Sequence, residues 1–92
     1  MQPKIHCKIA FEGKVQGVWF RKFIQEQATK LEVKGWVKNL PSGSVYIEAE
    51  SDENTMKQFV ELCKQGSPLS QVEEVLITQA EVVNYTSFEI RF

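Results

Sequence analysis

Hydrophobic and polar residues alternate one by one near the start of the chain. Across 4–12, Ile5, Cys7, Ile9 and Phe11 fall on one side and His6, Lys8, Ala10 and Glu12 on the other. That is the pattern of a strand with one face against a core. The period then changes: Phe20, Phe23, Ile24, Ala28 and Leu31 recur at helical spacing, with Lys22, Gln25, Glu26, Thr29 and Lys30 between them, so one stripe of a helix is apolar. Segments 33–40 and 44–50 read as strands again, the second with Val45, Ile47 and Ala49 on one face. Between them, Pro41 suits the second position of a type I turn and Gly43 the fourth, which predicts a hairpin. Met56, Phe59, Val60 and Cys63 mark a second helix. Ser51 or Asp52 can cap it by accepting from a free backbone N–H, and Gly66 can end it. Segment 71–80 is a further strand, 80–87 a loop, and 88–92 closes with Phe88, Ile90 and Phe92 alternating against Glu89 and Arg91.

The order strand, helix, strand, strand, helix, strand, short strand predicts an α+β ferredoxin-like sandwich. Its sheet is expected to be antiparallel, with four to five strands and both helices on one face. Residues 1–92 are expected to form a single domain. A crossover helix joins the first two strands, so they run the same way with the third between them. Their C-terminal ends share one edge of the sheet. The loop after the first strand ends in Arg21 and the second strand ends in Asn39, so chain order alone brings these two polar residues together.

Composition narrows the function classes. A formal net charge of −1 argues against a general nucleic-acid binder, which carries a large basic excess. No apolar run approaches the ~20 residues of a membrane span. The opening MQPKIHCKIAF lacks the features of a secretory leader, and a cytoplasmic protein is expected. Cys7 and Cys63 continue apolar series and are expected to be reduced core thiols. With His6 as the single histidine and no CxxC, no zinc site is expected.

The stretch GKVQGVWFR, 13–21, holds the candidate chemistry. Glycines in a loop allow sharp turns and close approach of a ligand. A cation at the start of a helix sits at the wrong end for the helix dipole, so a negative partner is expected there.

At these residues the chain resembles the acylphosphatases. FEGKVQGVWFR, 11–21, is similar to the family's first signature, and GWVKNLPSGSV, 35–45, to its second. The resemblance spans almost the whole chain, and two signatures at matching separation are a specific signal. Three positions depart from the pattern: Phe11 where an aliphatic residue is usual, Trp19 at a variable position that is often glycine, and Ser51 where the second signature ends in glycine. Trp19 would narrow or apolarise the entrance.

The resemblance implies hydrolysis of an acyl phosphate to a carboxylate and inorganic phosphate. Backbone N–H groups of Gln16, Gly17, Val18, Trp19 and Phe20 would cradle the phosphoryl group, with Gly13 and Gly17 allowing the curvature. Arg21 would hold two of its oxygens with its planar fork. Asn39 would orient the attacking water, its carboxamide being able both to accept and to donate. The carboxylate leaving group has a pKa of about 4 and needs no general acid. No acidic cluster is built for magnesium, so neither metal nor cofactor is expected. A small-molecule substrate and a monomer complete the expectation. The competing readings are an RNA-binding module of the same fold, which needs stacking aromatics on its middle strands, and a small-molecule-sensing domain, which needs no Arg21–Asn39 pair. His6, Lys8, Ala10, Glu12, Tyr46, Glu48 and Glu50 on the outer face make a poor stacking platform.

Overall fold

The computed structural model describes residues 3–17, 19–66 and 70–92. The alternating start becomes β1, Lys4–Lys14, and the first apolar stripe becomes α1, Phe20–Leu31. The hairpin forms from β2, Lys34–Asn39, and β3, Val45–Asp52; α2, Glu53–Gln65, β4, Gln71–Ala80, and β5, Phe88–Ile90, follow. Of the two candidate caps on α2, Asp52 is the one used: its side chain accepts from the Thr55 N–H at 2.9 Å. Gly66 ends that helix with φ 72°, a left-handed angle that costs glycine little. The turn also forms where expected, with the Gly43 N–H donating to the Leu40 carbonyl at 3.1 Å.

The strands lie in the order β4-β1-β3-β2-β5. β1 pairs antiparallel with β3 and β4, and β2 pairs antiparallel with β3. The sheet departs from an all-antiparallel one at its edge, where β5 pairs parallel to β2, Trp36 opposite Glu89. The 81–87 loop crosses the outer face of the sheet and delivers β5 beyond β2, and a strand arriving that way runs with its neighbour.

Both helices pack on one face. Ile9, Phe11, Phe20, Ile24, Val37, Val45, Ile47, Phe59 and Cys63 are fully enclosed there, the strands supplying one side of the layer and the helices the other. Cys7 and Cys63 are free thiols within this core, and burial pushes both up from the ordinary thiol value.

The opposite face holds a buried polar network. His6 and Glu50 are each 1% exposed. The His6 ring lies between two carboxylates, Nδ1 3.0 Å from Glu50 Oε2 and Nε2 2.7 Å from Glu48 Oε1. Glu50 also accepts from the backbone N–H groups of Val83, Asn84 and Tyr85, which ties the crossing loop to β3. Tyr85 in turn accepts from Trp36 Nε1 at 3.2 Å. His6, read as an outward position of β1, is therefore outward but covered.

Burial works to raise the Glu50 pKa, but the Val83 and Tyr85 N–H groups and His6 outweigh it and hold the carboxyl below its ordinary value. A carboxyl with a depressed folded-state pKa contributes stability above its unfolded value, and loses that contribution as pH falls through the folded one. Replacing Glu50 with alanine strands three backbone donors and is expected to cost about 3 kcal/mol at pH 7. Glu50→Gln should cost less, and its stability should fall less than that of the parent between pH 5 and pH 3. Urea midpoints at those pH values check both. Equal acid sensitivity of parent and Glu50→Gln would show that the carboxylate is not what anchors the loop.

Candidate active site

The C-terminal ends of β1 and β2 lie at one edge of the sheet, as the crossover requires. The segment from β1 into α1 is shaped by two unlike glycines. Gly13, φ 124°, sits at a break in register between β1 and β4. A Cβ there would lie 2.3 Å from the Gln71 carbonyl oxygen, so this glycine permits a β-bulge and a close strand approach and does not form part of the cradle. Gly17, φ 71°, lies in the loop itself and lines the cleft.

That cleft, of about 440 Å³, is lined by Val15, Gly17, Trp19, Phe20, Arg21, Lys22, Asn39, Ile90 and Phe92. Gly17, Trp19, Phe20 and Arg21 thus line it from one short stretch of chain, and Arg21 and Asn39 are both on its wall; Gln16 is not among the lining residues. Val18 lies outside the described residues. Among the described residues the wall carries two cationic side chains and no acidic one.

The start of α1 is open. Trp19 occupies its N-cap position with φ 63° and ψ 19°, makes no side-chain cap, and the first turn contains no acidic residue. The N–H groups of Phe20, Arg21 and Lys22 have no partner one turn back in the helix, and those of Gln16, Gly17 and Trp19 find no acceptor among the described residues. Two cations on this first turn add positive charge to the positive end of the helix dipole. Free donors and unbalanced charge of one sign make a receptor for an anion.

Gln16 contributes through its side chain as well. Its Nε2 donates to the Leu40 and Ser44 carbonyls, each at 2.8 Å, and so fixes the loop to the β2–β3 turn. Ser44 Oγ donates to Glu12 at 2.5 Å, tying the same turn to β1. Asn39 ends β2 just before this turn. Its Oδ1 is buried and has no partner among the described residues, an arrangement that leaves a strong acceptor needing a donor.

Sequence reasoning missed the C-terminal segment. Arg21 Nη1 donates to the Arg91 carbonyl at 3.2 Å, and its guanidinium lies 4.9 Å over the Phe92 ring. These contacts hold the side chain while its remaining N–H groups keep no partner among the described residues. Only the edge position of β5 brings Arg91 and Phe92 here. The alternation of Phe88, Ile90 and Phe92 suggested a strand but not its neighbour.

Fold and cleft together define an α+β sandwich with an open, positively charged cleft where β1 enters α1. The chain belongs to the acylphosphatase family, whose model matches residues 7–90, and it is an enzyme of that class. An acylphosphatase of Archaeoglobus fulgidus is 46% identical to it, over 96% of this chain and 99% of that one. The crystal structure of acylphosphatase from Bacillus subtilis superimposes with a TM-score of 0.93 at 40% identity, covering 96% of this chain and 99% of that one. An acylphosphatase structure from Coxiella burnetii gives 0.91 at 32% identity, with 96% and 93% covered. No described helix is long and apolar enough to cross a membrane.

Proposed function

We propose that the chain, acting as one domain and as a monomer in the cytoplasm, hydrolyses acyl phosphates by direct attack of water on phosphorus. The backbone N–H groups of 16–21 hold the phosphoryl oxygens, and the Arg21 fork takes two of them. Asn39 accepts from the attacking water and orients it opposite the leaving carboxylate. As the new P–O bond forms, the bond between phosphorus and the acyl oxygen breaks and the carboxylate departs with its electron pair. The proton of the water passes to a phosphate oxygen, since among the described residues no carboxylate or imidazole lines the cleft.

The observation that carries this reading is the pairing in one cleft of a doubly cationic helix start that has no side-chain cap with Asn39, whose Oδ1 has no partner among the described residues. A loose phosphoryl-transfer transition state asks chiefly for positioning and charge stabilisation, and these groups supply both. Among the described residues no carboxyl or imidazole lines the cleft to protonate a poor leaving group, so alkyl phosphate esters should be very poor substrates.

The test is hydrolysis of benzoyl phosphate beside an alkyl phosphate monoester, with and without EDTA. Benzoyl phosphate alone should be turned over, at a rate that chelation leaves unchanged. Comparable rates on both substrates would contradict the proposed division of labour, and chelation loss restored by magnesium would contradict a reaction run by these side chains alone. The RNA-binding reading gains nothing from the structure: the Val83–Tyr85 backbone is bonded to Glu50 across the outer sheet face where bases would stack.

A further inference from the structure

The cleft has more apolar wall than a phosphoryl group needs. Val15, Phe20, Ile90, Phe92 and Trp19 line it beside the cradle, and its two outermost aromatics are Phe92, 99% exposed, and Trp19, 79% exposed. Phe92 is already engaged beneath the Arg21 guanidinium. Trp19 is not: among the described residues its indole meets no ring or cation, and its Nε1 donates to no acceptor.

Trp19 also holds an unfavourable backbone, φ 63° and ψ 19°, a left-handed conformation that a bulky side chain adopts rarely. Glycine would hold the same turn without strain. The chain thus keeps a large, exposed ring, without a ring or hydrogen-bond partner among the described residues, at a loop position where its presence is sterically costly. With the phosphoryl group in the cradle, the rest of the substrate must leave through the mouth that Trp19 edges.

The geometry points to Trp19 as the specificity-determining residue for the acyl group: its indole is the wall on which a flat, apolar acyl body lies. The inference rests on the acyl phosphate reading and deepens it, naming aromatic acyl phosphates over short aliphatic ones as the preferred class. Stacking and apolar contact with an indole favour a benzoyl group, whereas an acetyl group is too small to cover it.

The experiment measures kcat/KM for benzoyl phosphate and for acetyl phosphate on the parent and on Trp19→Gly, Trp19→Asn and Trp19→Phe. Asparagine tolerates the left-handed backbone without supplying a ring, so it separates loss of the ring from loosening of the loop. Inhibition by inorganic phosphate reports whether the cradle is intact. Trp19→Gly and Trp19→Asn should lower the benzoyl-to-acetyl ratio by about fivefold or more, with phosphate inhibition within about twofold of the parent. Trp19→Phe should keep most of the ratio. A ratio that does not move, or equal losses on both substrates, overturns the role given to Trp19 and leaves the hydrolytic reading standing. Hydrolysis of neither substrate by the parent overturns both.

Discussion

Replacing Arg21 with alanine should lower kcat/KM for benzoyl phosphate by about 10³-fold or more and weaken inhibition by inorganic phosphate by at least tenfold. Both losses have one origin. The guanidinium is the side chain in the cleft that can grip two phosphate oxygens at once, and it is already aligned by the Arg91 carbonyl and the Phe92 ring. On the proposed mechanism it would bind charge in the ground state and stabilise redistributing charge in the transition state, where a preorganised donor counts for more. Arg21→Lys should recover part of the phosphate affinity and little of the turnover, because an ammonium cannot form the planar fork. The fold should survive either change, since Arg21 lies at the mouth of the cleft and outside the enclosed core. Circular dichroism and phosphate inhibition constants on both variants check this. Unchanged phosphate inhibition in Arg21→Ala would remove Arg21 from the phosphate site.

Asn39→Ala should fail differently. Turnover should drop by about 10²-fold or more while inorganic phosphate inhibits within about twofold of the parent, because orienting a water matters in the transition state and little in phosphate binding. The structural ground is the buried Oδ1 of Asn39, which has no donor among the described residues. Asn39 itself lines the cleft, which puts its carboxamide at the proposed site. Removing the carboxamide also removes the unsatisfied group, so Asn39→Ala should be no less stable than the parent by more than a few tenths of a kcal/mol. Wild-type turnover in this variant would refute the role. A loss of phosphate affinity matching that of Arg21→Ala would instead make Asn39 a phosphate ligand.

The residues differ in how much of this they revealed. The alternation at Ile5, Cys7, Ile9 and Phe11 and the helical spacing from Phe20 to Leu31 report which face of each element is buried, and the core is built from those faces. The meeting of Arg21 and Asn39 at one sheet edge followed from connectivity, because a right-handed crossover admits few arrangements. Alternation does not tell whether a loop covers the other face. His6, Glu48 and Glu50 looked like solvent-facing positions until Val83, Asn84 and Tyr85 were laid across them. The parallel edge strand was hidden for a related reason: three residues, Phe88–Ile90, carry no local signal for which neighbour they choose. Gly13 and Gly17 looked alike in the sequence, yet one serves a bulge and the other the cleft. The Gln16 side chain ties the loop to the β2–β3 turn, a task that residue type alone does not announce.

The central claim is that water held near Asn39 attacks phosphorus while the carboxylate leaves. Hydrolysis of benzoyl phosphate in water enriched in oxygen-18, followed by mass analysis of both products, tests it most directly. The account predicts one labelled oxygen in the inorganic phosphate and none in the benzoate; label in the benzoate would show attack at the carbonyl carbon and contradict it.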